Sequence, residues 1–387
     1  MLEGQELEPE QGMRRTGDIA RGEDVVGDDA IHVKDAASAP VPKRGAAGIT
    51  ARAAGRVSGS GGADRRAQNR PYRACFIGMD PPAHDRLRRL VTSHFEQTDA
   101  VRPDMVRTAS GLIDNMQAKH EIDLVDDFAY PLPVTVICQQ LGVPHEDEPR
   151  FHPWAEAIIT QLDPRPGQES AAAQASAEMN QYMAELVERY RSEPGPGLLS
   201  GLAAEEGMST QDVVATGRLL LIAGHETTVN LITNGMLTLL RHPVDLGTAP
   251  QRGTAGDPPS RGAIALRAAG ANQPEYMALD DVEVGKVTIP KGSRIVLALA
   301  AGNRDPNRFP DPDRFDPERD DNEHLGFFTG IHYCFGAGLA RQEAQAALTE
   351  LARRLENPRL LQDPPPYRQN PTLRGPRHLP IEVDGVR

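Results

Sequence analysis

A chain of 387 residues is long enough for one large or two ordinary domains, and its net charge of −13 leaves no basic face for nucleic acid. Three cysteines without paired spacing, Cys75, Cys138 and Cys334, exclude a disulfide framework and a zinc site and favour a reducing compartment. No run reaches the roughly 18 to 20 apolar residues of a membrane span. The N-terminus has no apolar signal core either, so the expectation is a soluble, cytoplasmic protein without membrane contact.

Met1 to Pro71 holds no aromatic residue, its only leucines are Leu2 and Leu7, and it includes Ser-Gly-Ser-Gly-Gly at 58–62. Such a stretch buries too little apolar surface to offset its ordering entropy, so residues 1–70 are expected to be disordered or divergent. The run Asp80-Pro81-Pro82-Ala83-His84-Asp85-Arg86-Leu87-Arg88 reads as a helix start, with proline in the first turn and Asp80 as a cap. His84 and Arg88, four apart, share a face and could clamp a pair of carboxylates. By itself the motif fits a solvated basic face better. Trp154, the only tryptophan, sits in a helical stretch and reads as a packing residue.

Thr210 to Leu240 is the longest helical pattern, about 45 Å at 1.5 Å per residue. Ser209 and Asp212 form a candidate capping box, and His242-Pro243 marks the end. Its apolar middle, Leu219 to Ala223, predicts a buried helix, yet Gly224, His225, Glu226, Thr227 and Thr228 follow at once. A mid-helix glycine and a buried carboxylate both cost stability unless something offsets them. Alone, these residues fit equally a polar patch where the helix surfaces, with threonines bonded back to their own carbonyls.

Val244 to Met277 is a second stretch rich in Gly, Ala and Pro and is expected to be irregular. Val287 to Val296 reads as a hairpin whose two β-rich runs flank Pro290-Lys291-Gly292. A turn-rich coil follows, through Asn303 to Pro306 and Phe309 to Phe315. Then comes Phe327-Phe328-Thr329-Gly330-Ile331-His332-Tyr333-Cys334-Phe335-Gly336, and directly behind it an apolar helical stripe from Leu339 to Leu355. A helix start supplies the positive potential a thiolate needs, glycines admit a flat bulky partner, and a phenylalanine can pack on its face. These features describe a cysteine bound axially to a heme iron.

The cysteine loop, the Ala223-Gly224-His225-Glu226-Thr227-Thr228 segment and the His84/Arg88 helix together resemble the cytochrome P450 family of heme-thiolate monooxygenases. The likeness spans roughly Arg70 to Pro243 and Ala278 to the C-terminus, about four-fifths of the chain, including closing strands between Pro364 and Val383. It implies a mainly α fold with small β-sheets, and a heme domain over 71–387 interrupted at 244–277. It further implies heme b with Cys334 on the iron and His84, Arg88 and His332 on the propionates. Phe327, Gly330 and Gly336 would shape the cysteine loop. Ala223 and Gly224 would make room for O2, Thr227 would hold it by a hydrogen bond, and Glu226 would relay protons. The implied activity is insertion of one oxygen atom into a small apolar substrate. Electrons would come from a ferredoxin-like or flavin partner drawing on NAD(P)H.

Two departures stand out. The family carries a Glu-x-x-Arg pair between the oxygen-binding helix and the hairpin, where it supports a coil arginine, here Arg314. Residues 244–277 contain no such pair, and those at Glu188/Arg191 and Glu350/Arg353 lie in other helices. Thirty-four residues of the right length but the wrong character are what a compensated reading-frame shift would leave. The alternative expectation is therefore a defective relative that holds heme weakly. If Arg314 is a buried charge without its partners, the loss is roughly 3–5 kcal/mol.

Overall fold

The longest helix serves as a spine between two apolar cores. The computed structural model describes residues 57–58, 75–95, 98–160, 169–242, 276–317, 319, 322–368, 370 and 372–387. All of them belong to one compact unit, 33–387. The helices are α1 (Ala83–His94), α2 (Thr98–Asp114), α3 (Pro131–Leu141), α4 (Phe151–Ile159), α5 (Glu169–Ser192), α6 (Leu198–Ala204), α7 (Thr210–Arg241), a short α8 (Leu299–Gly302) and α9 (Ala337–Arg354). The strands are β1 (Val57–Ser58), β2 (Glu121–Asp123), β3 (Tyr276–Ala278), β4 (Val282–Val284), β5 (Val287–Ile289), β6 (Arg294–Ile295), β7 (Leu355–Glu356), β8 (Arg359–Leu360), β9 (Pro380–Glu382) and β10 (Gly385–Val386). The expected mainly α architecture with small sheets is what the chain adopts. Among the described residues no helix is long and apolar enough to cross a membrane.

α7 starts on the expected capping box: Ser209 Oγ accepts from the Asp212 backbone N–H, and the Asp212 carboxylate accepts from the Ser209 N–H. Its N-terminal half, through Val213, Leu219, Leu221 and Ile222, lies in a core shared with α3, α4, α5 and α6. Its C-terminal half, through Val229, Ile232, Met236 and Leu239, lies in a second core with α2, α9 and β9. Each of these fully buried side chains contributes about 1.5–3 kcal/mol of transfer free energy. Residues 223–228 fall between the two cores, which is why a polar segment is tolerated in the middle of an apolar helix.

All strand pairs are antiparallel, in sheets ordered β1-β3-β6, β10-β7, β2-β9-β8 and β4-β5. The expected hairpin across Pro290-Lys291-Gly292 does not form as such. Val287–Ile289 pairs backwards with Val282–Val284, and Arg294–Ile295 pairs with Tyr276 and Met277. Gly285, at φ 58°, makes the tighter turn that joins β4 to β5. Tyr276 and Met277 are thus strand residues, and so are Val57 and Ser58, against the expectation of irregular chain at both places. Otherwise the stretches 1–70 and 244–277 lie outside the described residues apart from those four, and so does the region lacking the Glu-x-x-Arg pair.

Asp80 is not the N-cap residue of α1. Pro82 holds the cap position without a side-chain bond, and Asp80 instead accepts through its backbone carbonyl from the His84 N–H. Trp154 packs edge-on against Phe151, 5.5 Å between ring centroids, and donates from Nε1 to Glu178 at 2.8 Å. Glu188–Arg191 and Glu350–Arg353 are ion pairs within α5 and α9, at 3.0 and 2.8 Å. Arg314 is exposed, so the cost of a buried unpaired charge does not arise there.

Candidate active site

Four elements bring the candidate residues together. The loop before α9 is closed by the Cys334 N–H donating to the Phe327 carbonyl at 2.9 Å. Gly330, at φ 70°, and Phe328, at φ 59°, both take the positive φ that this reversal needs. Gly336 is the N-cap of α9, and a Cβ added to it would meet nothing within 4 Å. Phe327 and Ala337 are buried with Leu231 of α7, and Cys334 packs against this cluster. The Arg341 guanidinium lies 4.3 Å from the Phe327 ring centroid. Burial pushes the Cys334 thiol up, while the Gly336 backbone N–H, Arg88 and Arg341 pull it down. A thiolate at this sulfur therefore has donors and cations already arranged to receive it.

On the neighbouring side, α1 presents His84, 2% exposed, and half-buried Arg88. Arg88 donates to the Tyr333 carbonyl at 2.6 Å, tying α1 to the cysteine loop. The His84 ring meets the His332 ring edge-on at 4.8 Å. His84 Nδ1 is bonded to Asp85 at 2.7 Å, whereas His84 Nε2 and His332 Nδ1 are buried without a hydrogen-bond partner. Burial, then His84 and Arg88, hold His332 down at about 4. Arg86 and Arg89 are exposed, Arg86 donating to the Gly207 carbonyl at 2.7 Å.

The third element is the middle of α7. Ala223 is exposed and Gly224 and Thr227 are half-buried, although Leu219 to Ile222 before them and Thr228 to Leu239 after them are buried. Ala223, Thr227 and Leu231 fall four apart on one face, and Leu231 belongs to the cluster that packs on Cys334. The open stripe of the helix thus runs into the cysteine loop. Thr227 Oγ1 donates to the Ala223 carbonyl at 2.6 Å and Thr228 Oγ1 to the Gly224 carbonyl at 2.9 Å, the back-bonding that residue type permits. A Cβ on Gly224 would come 2.9 Å from Ile137 Cδ1, so glycine here also lets α3 approach the spine.

The fourth element escapes the sequence. Glu226, 2% exposed, pairs with Arg368 from the C-terminal coil, 142 positions away. No local pattern marks Arg368. The only available signal is the logic that a carboxylate inside an apolar helix requires a cation.

Sequence relatives agree with this geometry. The family model described as Cytochrome P450 matches residues 271–378. Cytochrome P450 107B1 of Saccharopolyspora erythraea is 38% identical over 314 residues, covering 79% of this chain and 76% of its own. The chain belongs to the cytochrome P450 family. The 6-deoxyerythronolide B hydroxylase of the same organism is 37% identical over 326 residues, covering 82% and 80%. Ligand-free CYP164A2 of Mycobacterium smegmatis superposes with a TM-score of 0.78 at 37% identity, over 84% of this chain and 86% of that one. P450 proteins are heme-iron monooxygenases that use a redox partner, O2 and an organic substrate.

The residues present fit a heme. Two buried imidazole nitrogens without partners, beside an arginine, suit a pair of propionates, because the anions would supply the missing acceptors and offset the positive charge. The open space at Gly336 and the exposed stripe of α7 leave room for a flat ring between them and the thiol.

Two buried groups set an expected pH dependence of stability. Burial holds His225 at about 3 against an ordinary 6.5, so the unfolded chain binds that proton first as pH falls. Stability present above 6.5 is lost between 6.5 and 3. Burial raises Glu343 to about 8 from 4.5, so the folded chain keeps that proton and stability is lost as pH rises from 4.5 to 8. The two cancel between 4.5 and 6.5; His225 acts alone below that window and Glu343 alone above it. Thermal unfolding should show a plateau from about pH 4.5 to 6.5 and lose about 2 kcal/mol by pH 8. Glu343→Gln should flatten that upper limb; an unchanged slope would rule out this assignment.

Proposed function

We propose that this protein is a cytoplasmic heme-thiolate monooxygenase that inserts one atom of O2 into a small apolar organic substrate. The observation that carries the reading is the face of α7 that runs from exposed Ala223 through half-buried Thr227 to buried Leu231, which lies in the cluster around Cys334. Cys334 would ligate the iron of heme b, with His84, Arg88 and His332 on the propionates and Phe327, Gly330 and Gly336 forming the loop around the sulfur. When bound, the heme supplies the reduction and cleavage of O2, which a strongly donating thiolate favours. Electrons arrive from a ferredoxin-like or flavin partner drawing on NAD(P)H.

The chain's own residues govern protons and access. Ala223 presents a small side chain to the open face, and Gly224, which has none, lets α3 pack against its back; together they would leave space for O2. Thr227 Oγ1 holds a proton at that face, and the Glu226 carboxylate, fixed by Arg368, resupplies it.

The rival is a relative that no longer holds heme, favoured by the absence of a Glu-x-x-Arg pair from residues 244–277. A reduced, carbon monoxide-treated spectrum separates the two. A strongly red-shifted Soret band is the expected result. A spectrum without heme, or with an unshifted band, would overturn the monooxygenase reading.

A further inference from the structure

Glu226 has neighbours besides Arg368. His225, the adjacent residue, is fully buried and meets Tyr130 at the start of α3 with ring centroids 4.3 Å apart and planes at 88°. Tyr130 in turn meets His152 of α4 at 4.0 Å and 69°. His152 and Tyr130 are half-buried, so this column of three rings begins near the surface and ends in the middle of α7. His225 Nδ1 stands 3.9 Å from Glu226 Oε1, too long for a direct hydrogen bond.

The polar atoms of the column are its unusual feature. Both ring nitrogens of His225, Tyr130 Oη, His152 Nδ1 and, beyond Glu226, Arg368 Nε are buried without a hydrogen-bond partner. Each such atom costs about 1–3 kcal/mol when left unpaired. Simple packing would be better served by phenylalanine or leucine at all three ring positions. Buried water, which typically makes about three hydrogen bonds to such groups, is the ordinary way to satisfy them. Water threaded past two imidazoles and a phenol is also a path along which protons move.

We propose that His152, Tyr130 and His225 line a water-bearing column that conducts protons from the surface beside α3 and α4 to the Glu226 carboxylate. The proposal rests on the monooxygenase reading, which gives those protons a destination. In each passage a neutral His225 accepts a proton at one ring nitrogen and releases the proton from the other. Its charge is unchanged and its tautomer inverted, and rotation of the ring or a second exchange restores it. One proton leaves Glu226 toward Thr227 and one enters from solvent at His152, so the column gains and loses nothing. Around His225, burial, His152 and Arg368 oppose a stored positive charge and outweigh the Tyr130 backbone and the Glu226 carboxylate 3.9 Å away, which favour one. Burial and Glu226 likewise keep the Tyr130 hydroxyl protonated. The column therefore passes protons without trapping them.

The test uses the heme-loaded protein in its reduced, carbon monoxide-bound, diamagnetic form, with histidine rings labelled by nitrogen-15. The His225 ring proton, although fully buried, should exchange with water rapidly. Tyr130→Phe, which removes one oxygen and no ring, should slow that exchange at least about tenfold, in keeping with the loss of one proton-transfer group. Backbone amide exchange along α7 should stay unchanged, which separates a broken relay from a loosened fold. A crystal structure of the same form should show ordered water between His152 Nδ1, Tyr130 Oη and His225. Slow exchange in the parent protein, exchange unaffected by Tyr130→Phe, or a dry column would each overturn the proposal. A normal red-shifted band with any of those results overturns the relay alone, whereas a missing band overturns both readings.

Discussion

Cys334→Ser should abolish the red-shifted carbon monoxide band and reduce monooxygenase turnover to background. The thiol is the one sulfur that the Gly336 N–H, Arg88 and Arg341 all favour in its anionic form. A serine hydroxyl in the same place ionises far too weakly to replace it. Neither of the other cysteines can take over. Cys75 and Cys138 are buried, and burial pushes their thiols up, Cys75 to about 12. The proposed propionate contacts at His84, Arg88 and His332 would be untouched by the change, so some heme should remain bound with an unshifted spectrum. Cys75→Ser is the matching control and should leave the band in place. Persistence of the red-shifted band in Cys334→Ser would remove this cysteine from the iron.

The second large effect concerns the pair between the spine and the C-terminal coil. Arg368→Leu should destabilise the protein by roughly 3–5 kcal/mol, because it leaves the Glu226 carboxylate charged and buried. Glu226→Leu in that background should recover much of the loss, since two apolar groups of similar volume need no partner. A double-mutant cycle in denaturant should therefore give a coupling well above 0.5 kcal/mol, the range expected of residues in direct contact. Additive effects of the two changes would mean that the pair does not hold in solution. The variants should also differ in function: Glu226→Leu removes the proposed proton donor outright, whereas Arg368→Leu leaves it in place but poorly fixed.

Much of this arrangement was legible in the sequence, and for a definite reason. The cysteine loop, the capping box at Ser209 and Asp212, and the His84/Arg88 face are all encoded within ten residues or fewer, where glycine conformation, helix periodicity and capping act directly. The same local signals failed where a partner had to be chosen. Pro290-Lys291-Gly292 is sound turn chemistry, and Gly292 does take a φ of 84°, but a turn does not say which strand its flanks will join. Val287–Ile289 found β4 and Arg294–Ile295 found β3 because those edges were the ones within reach. Arg314 was assigned a buried network by resemblance, and the structure exposes it.

The sequence by itself determined the cysteine, the polar break in a long apolar helix and the mainly α architecture, because each depends on neighbours along the chain. Only the tertiary structure decided that Glu226 is held by Arg368, 142 positions away, and that Tyr130 and His152 stand beside His225. Burial creates these demands for partners, and burial is a property of how helices pack rather than of any segment alone. A carboxylate or an imidazole in the middle of α7 announces that something must meet it; which residue does so is settled when α3, α4 and the C-terminal coil close around the spine.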